Sequence, residues 1–216
     1  MTGVKCIIIL MPYPSKTDRQ TILSAALKNL AHGGIRDLSL RNIAGSLNLA
    51  PNAIYRYFSD RSALEAALAN EAARLLELEL RKAANGCEPV ATIREMSSAY
   101  IKFARVNRHL YEVMMSFHAP EHDTTFLESL WMFTVEQVQR IAGSDRAPEA
   151  SVALWAFLHG AVTLEAIQVL GEMKPASGIE FGLDAWLIAV SVREEPIEAL
   201  RIKSIKQKDN KEHSSE

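Results

Sequence analysis

Residues 39–58 read SLRNIAGSLNLAPNAIYRYF, and apolar positions recur there at helical spacing twice, as Leu40, Ile43, Ala44, Leu47 and then as Ile54, Phe58. Ser39 stands where an N-cap belongs. Asn48 tolerates the left-handed backbone that a tight turn between helices needs, and Pro51 suits the first turn of the second helix. Helices shorter than about 12–15 residues are marginal in water, so neither piece stands alone. The preceding stretch supplies a partner. A helix over Thr17–His32 carries the stripe Leu23, Ala26, Leu27, Leu30 and ends at Gly33-Gly34. Three helices docked as one bundle satisfy all three stripes.

The same periodicity continues along the chain, and no strand-like alternation interrupts it. Ser59 or Asp60 caps a long fourth helix to about Ala84, which Asn85-Gly86 stops. Ile93, Met96, Tyr100 and Phe103 form the next stripe, followed by a short apolar helix from Leu110 to Phe117 closed by Ala119-Pro120. Leu127, Leu130, Trp131, Thr134, Val138 and Ile141 lead to Gly143, and two further helices span Pro148–Leu170 and Ile179–Val192. The expectation is an all-α chain of about nine helices. Residues 1–14 are read as a disordered leader, because the apolar run Cys6–Met11 is short and interrupted by Pro12 and Pro14; residues 201–216 are read as a frayed tail.

Hydrophobic residues make up 48% of the 216, enough to fill a substantial core. No apolar run approaches the ~18 residues of a membrane span. The two cysteines, Cys6 and Cys87, form neither a CxxC pair nor a disulfide framework, which places the chain in a reducing cytoplasm by default. Net charge is −2 but unevenly spread: residues 15–61 carry +4, with only Asp18, Asp37 and Asp60 against seven Lys/Arg, and residues 62–200 carry −9. A basic front module on an acidic body points to a polyanion met by the front alone.

The outward face of the Pro51 helix bears Asn52, Tyr55 and Arg56. These are the side-chain types that read duplex DNA: Arg pairs with guanine, Asn with adenine, and Tyr reaches phosphate. A helix of this kind fits the major groove, about 12 Å wide.

At this point the chain resembles a family. Ile22-Leu23-x-Ala25-Ala26, Gly34, Ser39-Leu40-x-x-Ile43-Ala44 and Leu49-Ala50-x-x-Ala53-Ile54-Tyr55-x-Tyr57-Phe58-x-x-Arg61-x-x-Leu64 resemble the N-terminal domain of TetR-type transcriptional regulators. The pattern departs at Asn48 and Ala53, where the family favours Gly, and at Ala50, where it has Ser or Thr. It departs also at Tyr57 for His and Arg61 for Lys, the last keeping a phosphate-binding charge. The resemblance implies a helix-turn-helix domain over residues 15–61 with the motif at 39–58. Its DNA-facing positions are Ser39, Arg41, Ala50, Asn52, Ala53, Tyr55, Arg56, Tyr57 and Arg61. It also implies a helical ligand-binding and dimerisation domain over residues 62–200. There, Tyr100-x-x-Phe103-Ala104-x-x-Asn107-x-x-Leu110-Tyr111-x-x-Met114-Met115 and Leu154-Trp155-x-x-x-x-His159-Gly160 look like a subgroup with a Trp…His-Gly signature.

The last two helices are apolar on two faces. Pro148–Leu170 carries Val152, Trp155, Val162, Ala166, Val169 on one and Leu154, Phe157, Leu158, Ala161, Leu164 on the other. Ile179–Val192 carries Ile179, Leu183, Trp186, Leu187, Val190 and, opposite, Phe181, Ala185, Ile188, Val192. Helices apolar all round are buried all round. One face therefore packs inward and the other meets a twofold mate. Phe157, Leu158, Ala161, Val162, Leu183, Trp186, Leu187 and Val190 are the candidate interface residues, with the outward stripe left open by the sequence. Tyr100, Phe103, Tyr111, Met114, Met115, Trp131, Trp155 and His159 are candidates for an effector pocket, though a dry core uses the same residue types.

The expected function is a ligand-responsive regulator, a repressor released from a pseudo-palindromic operator on double-stranded DNA by a small hydrophobic or amphipathic effector. It acts as a homodimer with no membrane partner, and neither cofactor nor metal is called for. His118 and His122 are four apart, but Pro120 lies between them. The rival readings are a ligand-binding or interaction module that has lost DNA reading, and an α-helical enzyme. Against the second, no phosphate loop, nucleophile elbow or paired-carboxylate motif occurs.

Overall fold

The computed structural model describes residues 17–86, 88–116, 124–168 and 175–192. The expected leader and tail, Cys6, Cys87, Phe117, His118, His122, Val169 and Leu170 lie outside them. Among the described residues the chain is all-helical: α1 (Arg19–Asp37), α2 (Leu40–Ser46), α3 (Pro51–Ile54), α4 (Arg61–Ala83), α5 (Pro89–Val106), α6 (Arg108–Ser116), α7 (Thr125–Ala142), α8 (Ala147–Ala166) and α9 (Pro175–Ser191). None of these helices is long and apolar enough to cross a membrane.

By packing, the chain divides into two units: Met1–Leu75 with Asn107–Leu127, and Leu76–Val106 with Glu128–Glu216. This differs from a cut between residues 61 and 62. The first part of α4 buries Leu64 and Leu68 in the first unit, and α6 returns to pack on α1.

In the first unit, Asp18 caps α1 by accepting the Thr21 amide at 2.7 Å, and that hydrogen bond holds its carboxyl below the usual carboxylate range. Ile22, Leu23, Ala26 and Leu30 of α1, Ile43 and Ala44 of α2, Ile54 of α3 and Phe58 are all buried, and α2 packs on both α1 and α3. The helix breaks at Gly34 (φ 68, ψ −171), a region open essentially to glycine alone. A Cβ there would also lie 3.0 Å from the His109 ring of α6. Gly34→Ala is therefore expected to destabilise the first unit by about 1–2 kcal/mol, read as a lower urea midpoint with an unchanged slope.

The second unit packs α5 on α8 and α8 on α9. Buried Ile93, Met96, Tyr100 and Phe103 follow the expected stripe of α5. Arg94 pairs with Asp184 and Arg105 with Glu165 across helices. Arg146 donates to the carbonyls of Ala189 and Val192, satisfying groups that the end of α9 leaves open. Trp186 donates its indole N–H to the Ala150 carbonyl. Two helix limits move from expectation. α8 stops at Ala166 and turns at Gln168, which adopts φ 54 although no glycine marks the place, and α9 begins at Pro175 rather than Ile179.

Candidate functional site

The turn between α2 and α3 is built from backbone hydrogen bonds. Leu49 N–H donates to the Ala44 carbonyl at 2.9 Å and Asn48 N–H to Gly45 at 3.1 Å, with Asn48 at φ 53. This is a Schellman end to α2, with asparagine in the left-handed position usually held by glycine. Ser39 occupies the N-cap of α2 as expected, but its hydroxyl makes no capping bond, and Ala50 caps α3 with backbone alone. Pro51 opens α3. The α-helix is shorter than the sequence implied, ending at Ile54. The coil nevertheless continues, because Tyr57 and Phe58 N–H both donate to the Ile54 carbonyl.

Ile54 and Phe58 anchor this segment inward with no more than 1% exposure, which turns Asn52, Tyr55 and Arg56 to solvent together. Arg41 on α2 is exposed as well, and neither Arg41 nor Arg56 has a carboxylate partner among the described residues. Two guanidinium groups thus stand ready for acceptors outside the protein. Ala50 is exposed, while Ser39 and Ala53 are half-buried.

Two of the expected DNA contacts, Tyr57 and Arg61, also make bonds within the fold. The Tyr57 hydroxyl donates to the Thr17 carbonyl at 2.8 Å, so its one proton is committed and cannot be given to a phosphate in this arrangement. Tyr57 tethers the start of α1 instead. Arg61 donates from Nε to Glu65 at 2.6 Å and from Nη2 to the Ile35 carbonyl at 2.7 Å, which closes the end of α1. Tyr57→Phe is expected to cost about 1 kcal/mol in thermal unfolding and to leave DNA affinity within twofold.

Asp60 caps α4 through the Ala63 amide at 2.8 Å. Arg19 carries no local signal in the sequence beyond its charge. Its guanidinium lies 4.8 Å from the centre of the Phe58 ring, a contact 39 residues apart in sequence that no local spacing announces.

The expected effector residues fall in both units. In the second, the Trp155 indole N–H donates to the Tyr100 hydroxyl at 3.1 Å, and the Trp131 and Trp155 rings lie 6.1 Å apart at 39°. Phe103 is buried and His159 half-buried one turn beyond Trp155. Tyr111 and Met114 are buried within the first unit, with Met115 half-buried there.

Burial divides the candidate dimer stripe. Leu158, Val162, Leu183, Leu187 and Val190 are buried inside the single chain, and Phe157, Ala161 and Trp186 are half-buried, so this stripe holds the unit together. The outward face of α9 is the opposite stripe, Phe181, Ala185, Ile188 and Val192, with Phe181 77% and Ile188 66% exposed. On α8 the outward face runs through Val152, Ala156, Thr163 and Ile167.

Residues 22–68 match the profile described as bacterial regulatory proteins, tetR family, and residues 93–181 match that of the tetracyclin repressor-like C-terminal domain. Together the two segments take in more than half of the chain. No curated protein matches it. Among solved structures, a protein of unknown function from Rhodococcus sp. RHA1 superposes with a TM-score of 0.70 at 25% identity, covering 84% of this chain and 100% of that one. A possible TetR family transcriptional regulator from Streptomyces coelicolor A3(2) gives 0.64 at 18% identity, covering 80% and 98%. A TetR variant from Acinetobacter baumannii AYE in complex with minocycline gives 0.62 at 19%, covering 80% and 96%. These last two likenesses are of fold.

Proposed function

Because the chain belongs to the TetR family of DNA-binding transcriptional regulators, we propose that it is a cytoplasmic homodimeric repressor that leaves its operator when a small organic effector binds. The observation that carries this reading is the outward face of α3. Asn52 and Arg56 project from a segment whose inner side is locked by Ile54 and Phe58, and Arg56 has no carboxylate partner among the described residues. Such a pair reads base edges, Arg at guanine and Asn at adenine, with Tyr55 and Arg41 on the backbone.

Dimerisation is supported by the outward faces of α8 and α9, which are almost wholly apolar. Two copies related by a twofold axis would present two reading helices one DNA turn apart, about 34–36 Å, so the operator should be a near-palindrome. The effector would meet the aromatic group of Tyr100, Trp131 and Trp155 with His159 nearby, a wall that suits a hydrophobic or amphipathic molecule with one polar anchor. Release requires the effector to bind the DNA-free state more tightly than the DNA-bound one.

The test is gel-shift binding to the DNA flanking the chain's own gene, over a salt series. Retardation of that fragment well beyond an unrelated one, steepening as salt falls, is the expected result. Equal retardation of both fragments at every salt concentration would sink the proposal. For the effector, a thermal-shift screen of apolar drugs, dyes and fatty acids against phosphorylated metabolites should give hits in the first group. Stabilisation there should grow toward about 2.7 kcal/mol at a hundredfold excess over Kd.

A further inference from the structure

The first unit contains a partly open cavity of about 430 Å³ between the start of α1, the α3–α4 turn and α4, lined also by Phe126. It lies in a different unit from the Tyr100–Trp131–Trp155 aromatics. Three small residues of α4, Ala63 among them, leave the space unfilled.

Its polar lining is unbalanced in one direction. Asn70 is only 8% exposed, and its carboxamide oxygen accepts the Phe126 backbone N–H at 2.9 Å. That bond fixes the amide, since a donor must face the oxygen, and turns the NH₂ group away. No described residue accepts from that NH₂ group. That nitrogen is not fully enclosed, so solvent reaches it from the cavity. Glu71, also on the wall, does not supply one. Both of its oxygens are taken by Arg74, at 2.8 Å each, and its charge is neutralised there. The remaining charged group on the wall is Arg19. Its guanidinium lies over the Phe58 face and has no carboxylate partner among the described residues.

We propose that this cavity binds a small organic monocarboxylate, with the carboxylate accepting from Arg19 and Asn70 and the hydrocarbon part seated against Phe126 and the alanines of α4. The volume lies toward the small end of ligand pockets, which run from about 300 to 1,000 Å³. One cation and one amide suit a single negative charge. A phosphate or dicarboxylate would bring a second charge toward Glu71 and find no second cation. The apolar side, formed by Phe126 and the alanines, takes a short hydrocarbon body over a sugar.

Isothermal titration of the full chain with benzoate, phenylacetate and hexanoate tests this, with benzamide as the neutral counterpart of benzoate. At least one acid should bind with a Kd of about 1 mM or tighter, and benzamide should bind about tenfold more weakly than benzoate, because the charge-assisted bonds are lost. Arg19→Met removes an exposed charge, leaves the fold intact by circular dichroism and should weaken the acid about tenfold. Ala63→Leu fills the space and should abolish binding. Failure of all three acids to bind overturns the proposal, as does unchanged affinity in Arg19→Met. If Trp155→Ala, rather than Arg19→Met, removes the binding, the acid sits in the second unit and the proposal is equally overturned.

Discussion

Replacing Ile188 with glutamate is expected to convert the dimer into a folded monomer. Ile188 sits at the middle of the Phe181–Ala185–Ile188–Val192 stripe and makes its largest exposed contribution after Phe181. In a twofold pair of α8–α9 faces, each copy would bury its glutamate against an apolar neighbour. An uncompensated buried charge costs about 3–5 kcal/mol and the twofold pair buries two, so the dimer dissociation constant should rise by at least about four orders of magnitude. The helix itself survives, because glutamate is a good helix former at an exposed position. Leu158→Glu is the informative contrast. Leu158 is 4% exposed within the single chain, so its charge would be buried in the protomer and would unfold the second unit instead of splitting the pair. Sedimentation and circular dichroism together separate the two outcomes. A wild-type monomer at micromolar concentration would overturn dimerisation itself, and an Ile188→Glu variant that stays dimeric would place the interface elsewhere. The monomer should also lose operator affinity steeply, since one half-site supplies only part of the binding energy.

The contrast between Ile188 and Leu158 marks where sequence reading stops. Local signals carried well wherever a single residue type has a single conformational consequence. Asn48 in the left-handed turn, Pro51 at the head of α3, Asp60 at the cap of α4 and Gly34, Gly86 and Gly143 at breaks all stand where their chemistry puts them. The buried positions of α1, α2 and α5 followed from one-sided stripes. On α8 and α9 both faces are apolar, so periodicity is symmetric and the choice of inner face is made by packing with α5 and by Trp186 reaching the Ala150 carbonyl. Long-range contacts were equally silent. Nothing near Tyr57 indicates that its hydroxyl closes on Thr17, 40 residues earlier, and nothing near Arg61 points to the Ile35 carbonyl. The reading face of α3 was legible because its outward residues are polar and its inward ones are not. The division into units was not, because α6 joins the first one by packing on α1, a contact distant in sequence.

Arg56→Ala should separate base reading from backbone holding. Arg56 is exposed, with no ion pair among the described residues, so its removal breaks no contact within the fold and the melting temperature should stay unchanged. A bidentate arginine–guanine contact is worth about 1–3 kcal/mol, and a dimer loses it at both half-sites, so operator affinity should fall by about 2–6 kcal/mol in total. The loss should be confined to specific DNA and should relax preference at one base pair in each half-site. Arg61→Ala provides the opposite pattern. Its guanidinium is engaged by Glu65 and the Ile35 carbonyl, so truncation releases the end of α1 and lowers the melting temperature, mostly through the carbonyl bond, since the half-exposed ion pair contributes no more than about 1 kcal/mol. Any phosphate contact it makes adds a sequence-independent loss and flattens the salt slope by about one counterion per half-site. Arg41→Ala, exposed and outside the base-reading face, should flatten the salt slope without touching stability or base preference. Affinities measured over a salt series on the operator and on single-base variants resolve all three. If Arg56→Ala leaves both affinity and base preference where they were, the reading face has been assigned to the wrong side of α3.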